Sequence, residues 1–256
     1  MSFNAVTWNI LADAYIKPSR YEHVEPQALD PARRRALLLD TIAAQAADLY
    51  MLQEVEPDAL AAILERLGPG YTGHLERRAG RPDGCALIAR AATATIEAVE
   101  GVTHTRGRAH TLIARLRVEG YALHVASTHL TWAAPGTTDA DHAGLAQLHE
   151  LLAHRATLPP ETPWIIAGDL NTISTSPVIR AAQEAGLKLA CRRQRPWDTC
   201  NINRKRRKLD YMLYTPGALH PEPGALPQLE RDTPMPSATY ASDHLPVEVT
   251  WRWQTT

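Results

Sequence analysis

Cysteine, uncompensated charge and long apolar runs are all scarce in this 256-residue chain. Cys85, Cys191 and Cys200 form no C-x-x-C pair, and an odd number cannot all be internally paired. A disulfide framework is therefore not expected, and a reduced interior is. Lys and Arg number 27 against 28 Asp and Glu, so the net charge is −1 and the pI is near 6.8. No global field draws such a protein to nucleic acid or membrane, and any basic binding surface must be local. No stretch approaches 18 uninterrupted apolar residues, and a strand-like segment starts almost at the N-terminus without a basic leader. The expectation is a soluble, cytoplasmic chain without membrane contact. Repeats, low-complexity segments and Gly/Ser-rich linkers are also missing, so one domain over residues 1–256 is expected. With 45% hydrophobic residues there is ample material for its core.

What the chain does contain is a series of apolar runs that end in polar residues. The strongest is Trp164-Ile165-Ile166-Ala167-Gly168-Asp169-Leu170-Asn171, a buried-strand pattern closing on a carboxylate and a carboxamide two positions apart. In an extended chain those two side chains share a face. A phosphate or metal site could be built there, and an ordinary turn equally well.

Phe3 to Trp8 reads as a strand ending at Asn9, and Leu49 to Leu52 as one ending in Gln53-Glu54. Between them, Asp30-Pro31 starts a helix with Leu38, Ile42 and Ala46 at helical spacing. Arg33, Arg34 and Arg35 fall in its first turns and are read as a solvated face. A second helix starts at Glu56-Pro57-Asp58 and stops at Gly68-Pro69-Gly70. Cys85 to Ala89 is a strand, and Thr111 to Val118 pairs as a hairpin with the strand from Tyr121 that ends at His129. Helices are expected over Asp139–Ala156 and from Ser176-Pro177 to Gly186. Leu209 to Tyr214 and the alternating Val247, Val249, Trp251, Trp253 are strands, and Pro216 to Pro236 reads as a long loop.

Six strand ends thus carry Asn9, Glu54, His129, Asp169 with Asn171, Asp210, and Asp243 with His244. In order along the chain, Thr7-Trp8-Asn9, Gln53-Glu54, Ser127-Thr128-His129-Leu130, Gly168-Asp169-Leu170-Asn171, Leu209-Asp210-Tyr211 and Ser242-Asp243-His244-Leu245-Pro246 resemble the endonuclease/exonuclease/phosphatase (DNase I-like) superfamily. Asn9-Ile10-Leu11-Ala12 with Tyr15, Asp83-Gly84-Cys85-Ala86, and His129-Leu130-Thr131-Trp132 followed by Pro135 are similar to the branch holding the polyadenylate deadenylases, nocturnin and the 2′-phosphodiesterases. Compared with those eukaryotic enzymes, neither leucine-rich repeats nor an organelle-targeting leader is expected, and the Trp132-to-Pro135 spacing is one residue longer than the deadenylase pattern.

The resemblance implies a four-layer α/β/β/α sandwich, an α/β (α+β) fold with two packed mixed sheets flanked by helices. It implies a phosphodiesterase whose site lies in the cleft between the sheet ends. Hard oxygen ligands without a cysteine cluster point to Mg²⁺ or Mn²⁺. By resemblance Asn9 and Glu54 hold the metal and Asp243 adds a second carboxylate. Asp169 orients or deprotonates the attacking water, Asn171 positions it with the phosphate, and His129 and His244 donate to the phosphoryl oxygens. Adjacent residues of an extended segment point apart, so Asp210 rather than Asp243 is expected to orient His244.

Eight of the residues between Arg192 and Lys208 are Arg or Lys (192, 193, 195 and 204 to 208). Arg204, Lys205 and Arg206 are therefore candidate phosphate contacts, with a solvated charge run as the alternative. Trp132 could stack a base, as could Trp197. These readings lead to a Mg²⁺-dependent nuclease for single-stranded nucleic acid, RNA in the first place, acting as a 3′-exonuclease and a monomer without an obligate protein partner. The alternatives are a phosphatase or phosphodiesterase for a small phosphorylated molecule or lipid head group, and a DNA repair endonuclease.

Overall fold

The computed structural model describes residues 1–107, 109–191 and 197–254. The chain runs β1 (Ser2–Asn9), α1 (Pro31–Gln45), β2 (Leu49–Val55), α2 (Pro57–Leu67), β3 (Tyr71–Arg77), β4 (Gly84–Arg90), β5 (Ala94–Thr103), β6 (His110–Val118), β7 (Tyr121–His129), α3 (Ala143–Arg155) and β8 (Trp164–Asp169). It continues through α4 (Pro177–Glu184), β9 (Lys188–Leu189), β10 (Cys200–Ile202), β11 (Lys205–Arg207), β12 (Asp210–Tyr214), β13 (Leu219–Pro223) and β14 (Val247–Trp253).

Two six-stranded mixed sheets result, ordered β13-β14-β1-β2-β4-β3 and β5-β6-β7-β8-β12-β9. Each holds one parallel pair, β1 with β2 and β7 with β8, and each pair is joined by a crossover through a helix. The period-2 rule explains the layers. Ala5, Leu49, Met51 and Leu87 face Ala114, Val125, Ile165 and Met212 of the other sheet. Their neighbours Val6, Tyr50, Leu52 and Ile88 face Leu38 and Ile42 of α1 and Ile63 of α2. On the outer side of the second sheet, Ala126, Ile166 and Leu213 pack on Leu148 of α3 and Ile179 of α4. Central strands covered on both faces need continuous apolar runs, and Trp164 to Ala167 is one. A fully buried large apolar side chain contributes roughly 1.5–3 kcal/mol, so these layers carry the stability.

Several boundaries differ from the sequence expectation. Asp30 does cap α1, accepting from Arg33 N at 2.9 Å. Helix α3 starts at Ala143 rather than Asp139, because His142 Nδ1 accepts from Leu145 N and caps it there. The proline-rich stretch is not all loop, since β13 pairs with β14 at the sheet margin. Proline is tolerated there because an edge strand need not donate outward. Strands β3 and β5 also went unread; their solvent faces are polar and they lie at sheet margins. Arg34 is buried at 5% exposure and is not part of a solvated face. Among the described residues, no helix is long and apolar enough to cross a membrane.

Candidate active site

Strand register sets the first three groups side by side. His129 pairs with Asp169 across the parallel β7–β8 ladder, and Asp169 pairs with Asp210 across β8–β12. The approach of β7 is so close at this end that a Cβ on Gly168 would sit 1.8 Å from Thr128 O, so only glycine fits before Asp169.

The first sheet supplies Asn9 and Glu54. Asn9 Nδ2 donates to Asp169 Oδ2 at 3.1 Å and to Glu54 Oε1 at 3.1 Å, bridging the two sheets. Register between β2 and β4 shifts between Leu52 and Val55, and Glu54 sits there at φ 56°. This bulge separates the fate of two adjacent polar residues. Gln53 stays in the core, 3.2 Å from Thr7 Oγ1 and 3.3 Å from Ser127 Oγ, while the Glu54 carboxylate reaches Asn9 and accepts from Ala12 N at 3.1 Å.

His244 arrives from the segment before β14. Ser242 Oγ donates to Asn9 O at 2.7 Å and accepts from His244 N at 3.0 Å, and Trp8 Nε1 donates to His244 O at 2.8 Å. Its ring Nδ1 lies 2.8 Å from Asp210 Oδ2, which also accepts from Thr199 Oγ1 at 2.6 Å. The partner is Asp210 and not Asp243; Asp243 Oδ2 instead accepts from Tyr21 Oη at 3.0 Å.

Asp169 is the hub. Oδ1 accepts from Asn171 N at 2.8 Å, and Oδ2 lies 3.5 Å from His129 Nε2 and 3.7 Å from His244 Nε2. The Asp169–Asn171 relation is therefore a side-chain-to-backbone turn with Asn171 at φ 48°, and not the shared face of an extended strand. Asn171 Nδ2 donates to Leu130 O and to His129 Nε2, both at 2.9 Å. With Nε2 accepting, the His129 proton belongs on Nδ1, a buried atom with no hydrogen-bond partner among the described residues. A donor role for His129 Nε2 toward a phosphoryl oxygen requires its ring to leave Asn171.

Burial and charge divide the two imidazoles. Burial pushes His129 down to about 4, only partly opposed by Asp169. Burial would also lower His244, but the carboxylates of Asp210 and Asp169 outweigh it and hold the ring well above its ordinary value. His129 is neutral and His244 cationic at neutral pH. Asp169 is raised by burial despite both rings, which makes it a stronger base than a solvated aspartate.

Two donor sets could hold a metal. Asp169, Asp210 and His244 have ligand atoms all within 4.8 Å of one another, yet His244 already supplies positive charge there. At the other, burial and the charge of Asp243 raise Glu54 to about 7, and Asn9, Ala12 N and Tyr21 are its and Asp243's neutral contacts. A carboxyl that burial and a neighbouring carboxylate hold back from ionising, among hard oxygen donors and no thiol, fits Mg²⁺ or Mn²⁺.

Beside the hub, a cavity of about 390 Å³ is lined by Arg78, Arg81, His129, Thr131, Trp132 and Asn171, among others. Trp132 is 53% exposed on its rim. Trp197 is instead packed against the inter-sheet core with Lys208 Nζ 5.0 Å from its ring. Strands β10 and β11 form a hairpin whose tip, Asn203-Arg204, takes φ 51° and 60°. Arg204 is exposed, 3.5 Å from Asp232, and Lys205 is exposed. Arg206 donates to Leu229 O and lies 3.8 Å from Asp198, and Lys208 donates to Cys191 O at 2.8 Å. The fold thus engages Arg206 and Lys208, whereas Arg192, Arg193 and Arg195 lie outside the described residues.

Sequence reasoning missed Tyr21, Thr199, Gln147, Arg34 and Arg78. Arg78 pairs with Asp83 and donates to Tyr15 Oη at 3.2 Å, joining two motif residues at the cleft wall. Arg34 had a legible signal: it falls four residues before Leu38 and eight before Ile42, on the buried face of α1.

The profile of the Endonuclease/Exonuclease/phosphatase family matches residues 6–244. Human nocturnin is 28% identical over 278 aligned residues, which cover 93% of this chain and 62% of nocturnin. The chain thus spans less than two thirds of the curated relatives it matches. The human nocturnin catalytic domain, solved with a bound sulfate anion, superposes with a TM-score of 0.78 at 25% identity, covering 99% of this chain and 94% of that one. ANGEL2, described as a 2′,3′-cyclic phosphatase in complex with adenosine-2′,3′-vanadate, gives a TM-score of 0.87 at 22% identity, covering 100% and 96%.

Proposed function

The chain belongs to the endonuclease/exonuclease/phosphatase family, and from that premise we propose that residues 1–256 form one catalytic domain, a Mg²⁺- or Mn²⁺-dependent phosphodiesterase for single-stranded RNA, attacking from the 3′ end. The observation that carries this reading is the Asp169 hub: one buried carboxylate within reach of Asn9, Asn171 and two imidazoles of opposite charge state.

Glu54, Asn9 and Asp243 would hold the cation, which supplies charge neutralisation for a non-bridging oxygen. Asp169 accepts a proton from the attacking water, favoured by its raised affinity. His244, kept cationic by Asp210, donates toward the phosphoryl oxygens as negative charge builds. Asn171 orients the phosphate, with Arg78 and Arg81 on the cleft wall. Trp132 offers a face to a base, a contact worth roughly 1–3 kcal/mol. Exposed Arg204 and Lys205 would follow the strand beyond the cleft.

The small cleft favours a second reading, a phosphatase for a compact phosphorylated molecule, because about 390 Å³ suits one nucleotide. A panel of end-labelled RNA, single- and double-stranded DNA, abasic duplex, mononucleotides with terminal or cyclic phosphates, inositol phosphates and sphingomyelin separates them, each with Mg²⁺, Mn²⁺ or EDTA and with Asp169→Asn as control. Progressive shortening of RNA only with metal, lost in Asp169→Asn, is expected. Turnover confined to small phosphates selects the second reading, abasic-duplex cleavage a repair role, and sphingomyelin turnover a lipid head-group role.

A further inference from the structure

Arg34 joins the loop that follows Asn9 and contacts Glu54 to the loop that carries Asp243, though it touches neither carboxylate of the proposed cation site. Its guanidinium donates to Leu11 O, just past Asn9, and to Ala241 O, two residues before Asp243. Asp13 Oδ1 balances the charge at 3.0 Å from Nη2 and 3.3 Å from Nε. Each flanking residue is committed in turn. Leu11 takes φ 58° and its N donates to Asn9 Oδ1 at 3.0 Å; Ala12 N donates to Glu54 Oε2 at 3.1 Å; and Ser242 Oγ donates to Asn9 O at 2.7 Å. The loop from Ile10 to Asp13 thus orients Asn9 and Glu54, and the loop through Ala241 presents Asp243.

We propose that Arg34 is a positioning residue that holds these two loops in register, so that Asn9, Glu54 and Asp243 form one divalent-cation site. Two features favour this over simple helix packing. A planar guanidinium presents five donors in a fixed fork and can serve two carbonyls and a carboxylate at once, which a lysine ammonium does with far less directional control. Arg33 and Arg35, on either side, reach Gln27 and the acids Asp13 and Asp58 and leave both carbonyls alone.

The sign of the effect separates positioning from charge. Arg34 is a cation near a cation site, so removing its charge would by Coulomb's law tighten Mn²⁺ binding; losing the register of the ligand loops would weaken it. The inference rests on the reading of Asn9, Glu54 and Asp243 as the cation site, and is tested without turnover. Mn²⁺ binding to the whole protein is followed by the loss of the free-ion EPR signal for wild type, Glu54→Gln, Arg34→Met, Arg34→Lys and Asp13→Asn, with folding checked by circular dichroism. The expected result is weakening of about tenfold or more in Arg34→Met, as for residues that orient metal ligands. Arg34→Lys, which keeps the charge, should also weaken binding, and Asp13→Asn should do so to a smaller extent. If Arg34→Met does not fold, Arg34→Lys decides. Affinity equal to or tighter than wild type in the folded Arg34 variants overturns the proposal. Wild-type Mn²⁺ binding unaffected by Glu54→Gln overturns the cation-site reading itself. Normal Mn²⁺ binding without nucleic-acid turnover overturns only the proposed substrate.

Discussion

His244 Nδ1 lies 2.8 Å from Asp210 Oδ2, and that oxygen also receives the Thr199 hydroxyl at 2.6 Å. The ring is thereby fixed with Nε2 toward Asp169, 3.7 Å away. The acid that orients the histidine comes from a strand of the second sheet, while the histidine comes from the segment leading into the first.

Asp210→Asn should reveal this pairing in the pH profile. Asp210 and Asp169 keep His244 protonated against burial. Removing one negative charge lowers the ring's proton affinity, so the alkaline limb of kcat should move to lower pH. A fall in kcat on the order of 10²-fold near neutral pH is expected for impaired acid–base work. An alkaline limb in its original place would remove His244 as the titrating acid.

Glu54 predicts the opposite limb. Burial and Asp243 raise it to about 7, and a protonated carboxyl must lose its proton to bind a cation. Above pH 7 Mn²⁺ affinity should be flat, and below it should fall by up to tenfold per pH unit as one proton is displaced. Glu54→Gln should abolish that dependence. Calorimetry in buffers of different ionisation enthalpy would count the proton, and no proton uptake or release at pH 6 would contradict the assignment.

Gln147 governs the rim of the cleft from the back. Its Oε1 accepts from Thr131 N at 2.8 Å, and its Nε2 donates to Thr131 Oγ1 at 2.8 Å and to Arg106 O. Gln147→Leu strands those partners, at about 1–3 kcal/mol, and frees the residue before Trp132. A lower Tm together with a several-fold higher KM and a smaller change in kcat is expected. An unchanged KM would show that the Trp132 loop is held by other contacts.

The basic hairpin divides by residue. Arg204→Ala with Lys205→Ala should weaken RNA binding and flatten the dependence of log K on log salt by about 1–2. Arg206→Ala, which removes the contact to Leu229 O, should lower Tm instead. An unchanged salt slope in the double variant would assign the exposed cations to solvent.

Much of the fold was open to sequence reasoning, because burial imposes periods that composition reveals. Central strands covered on both faces need the apolar runs seen at Leu49–Leu52 and Trp164–Ala167, and proline with a capping aspartate marks the start of α1. Marginal strands were hidden for the complementary reason: β13 carries prolines and β5 a mostly exposed polar face, which resemble loop.

Local patterning placed the polar side chains at the ends of the central strands: Asn9, Glu54, His129, Asp169 and Asp210, with His244 just before β14. A buried strand must surface somewhere and the polar residues that close its apolar run mark the place, although which of them reaches the surface, as with Gln53 and Glu54, is decided by the bulge. Tertiary structure alone decided how they meet. The bulge at Glu54, the turn that places Asn171 against His129, the Thr199 hydroxyl on Asp210 and the Arg34 link between two loops all depend on partners 11 to 207 positions away or on register within a sheet. Hydrogen bonds between segments leave no period in the chain, and only the packed layers bring their donors and acceptors within 3 Å or so of each other.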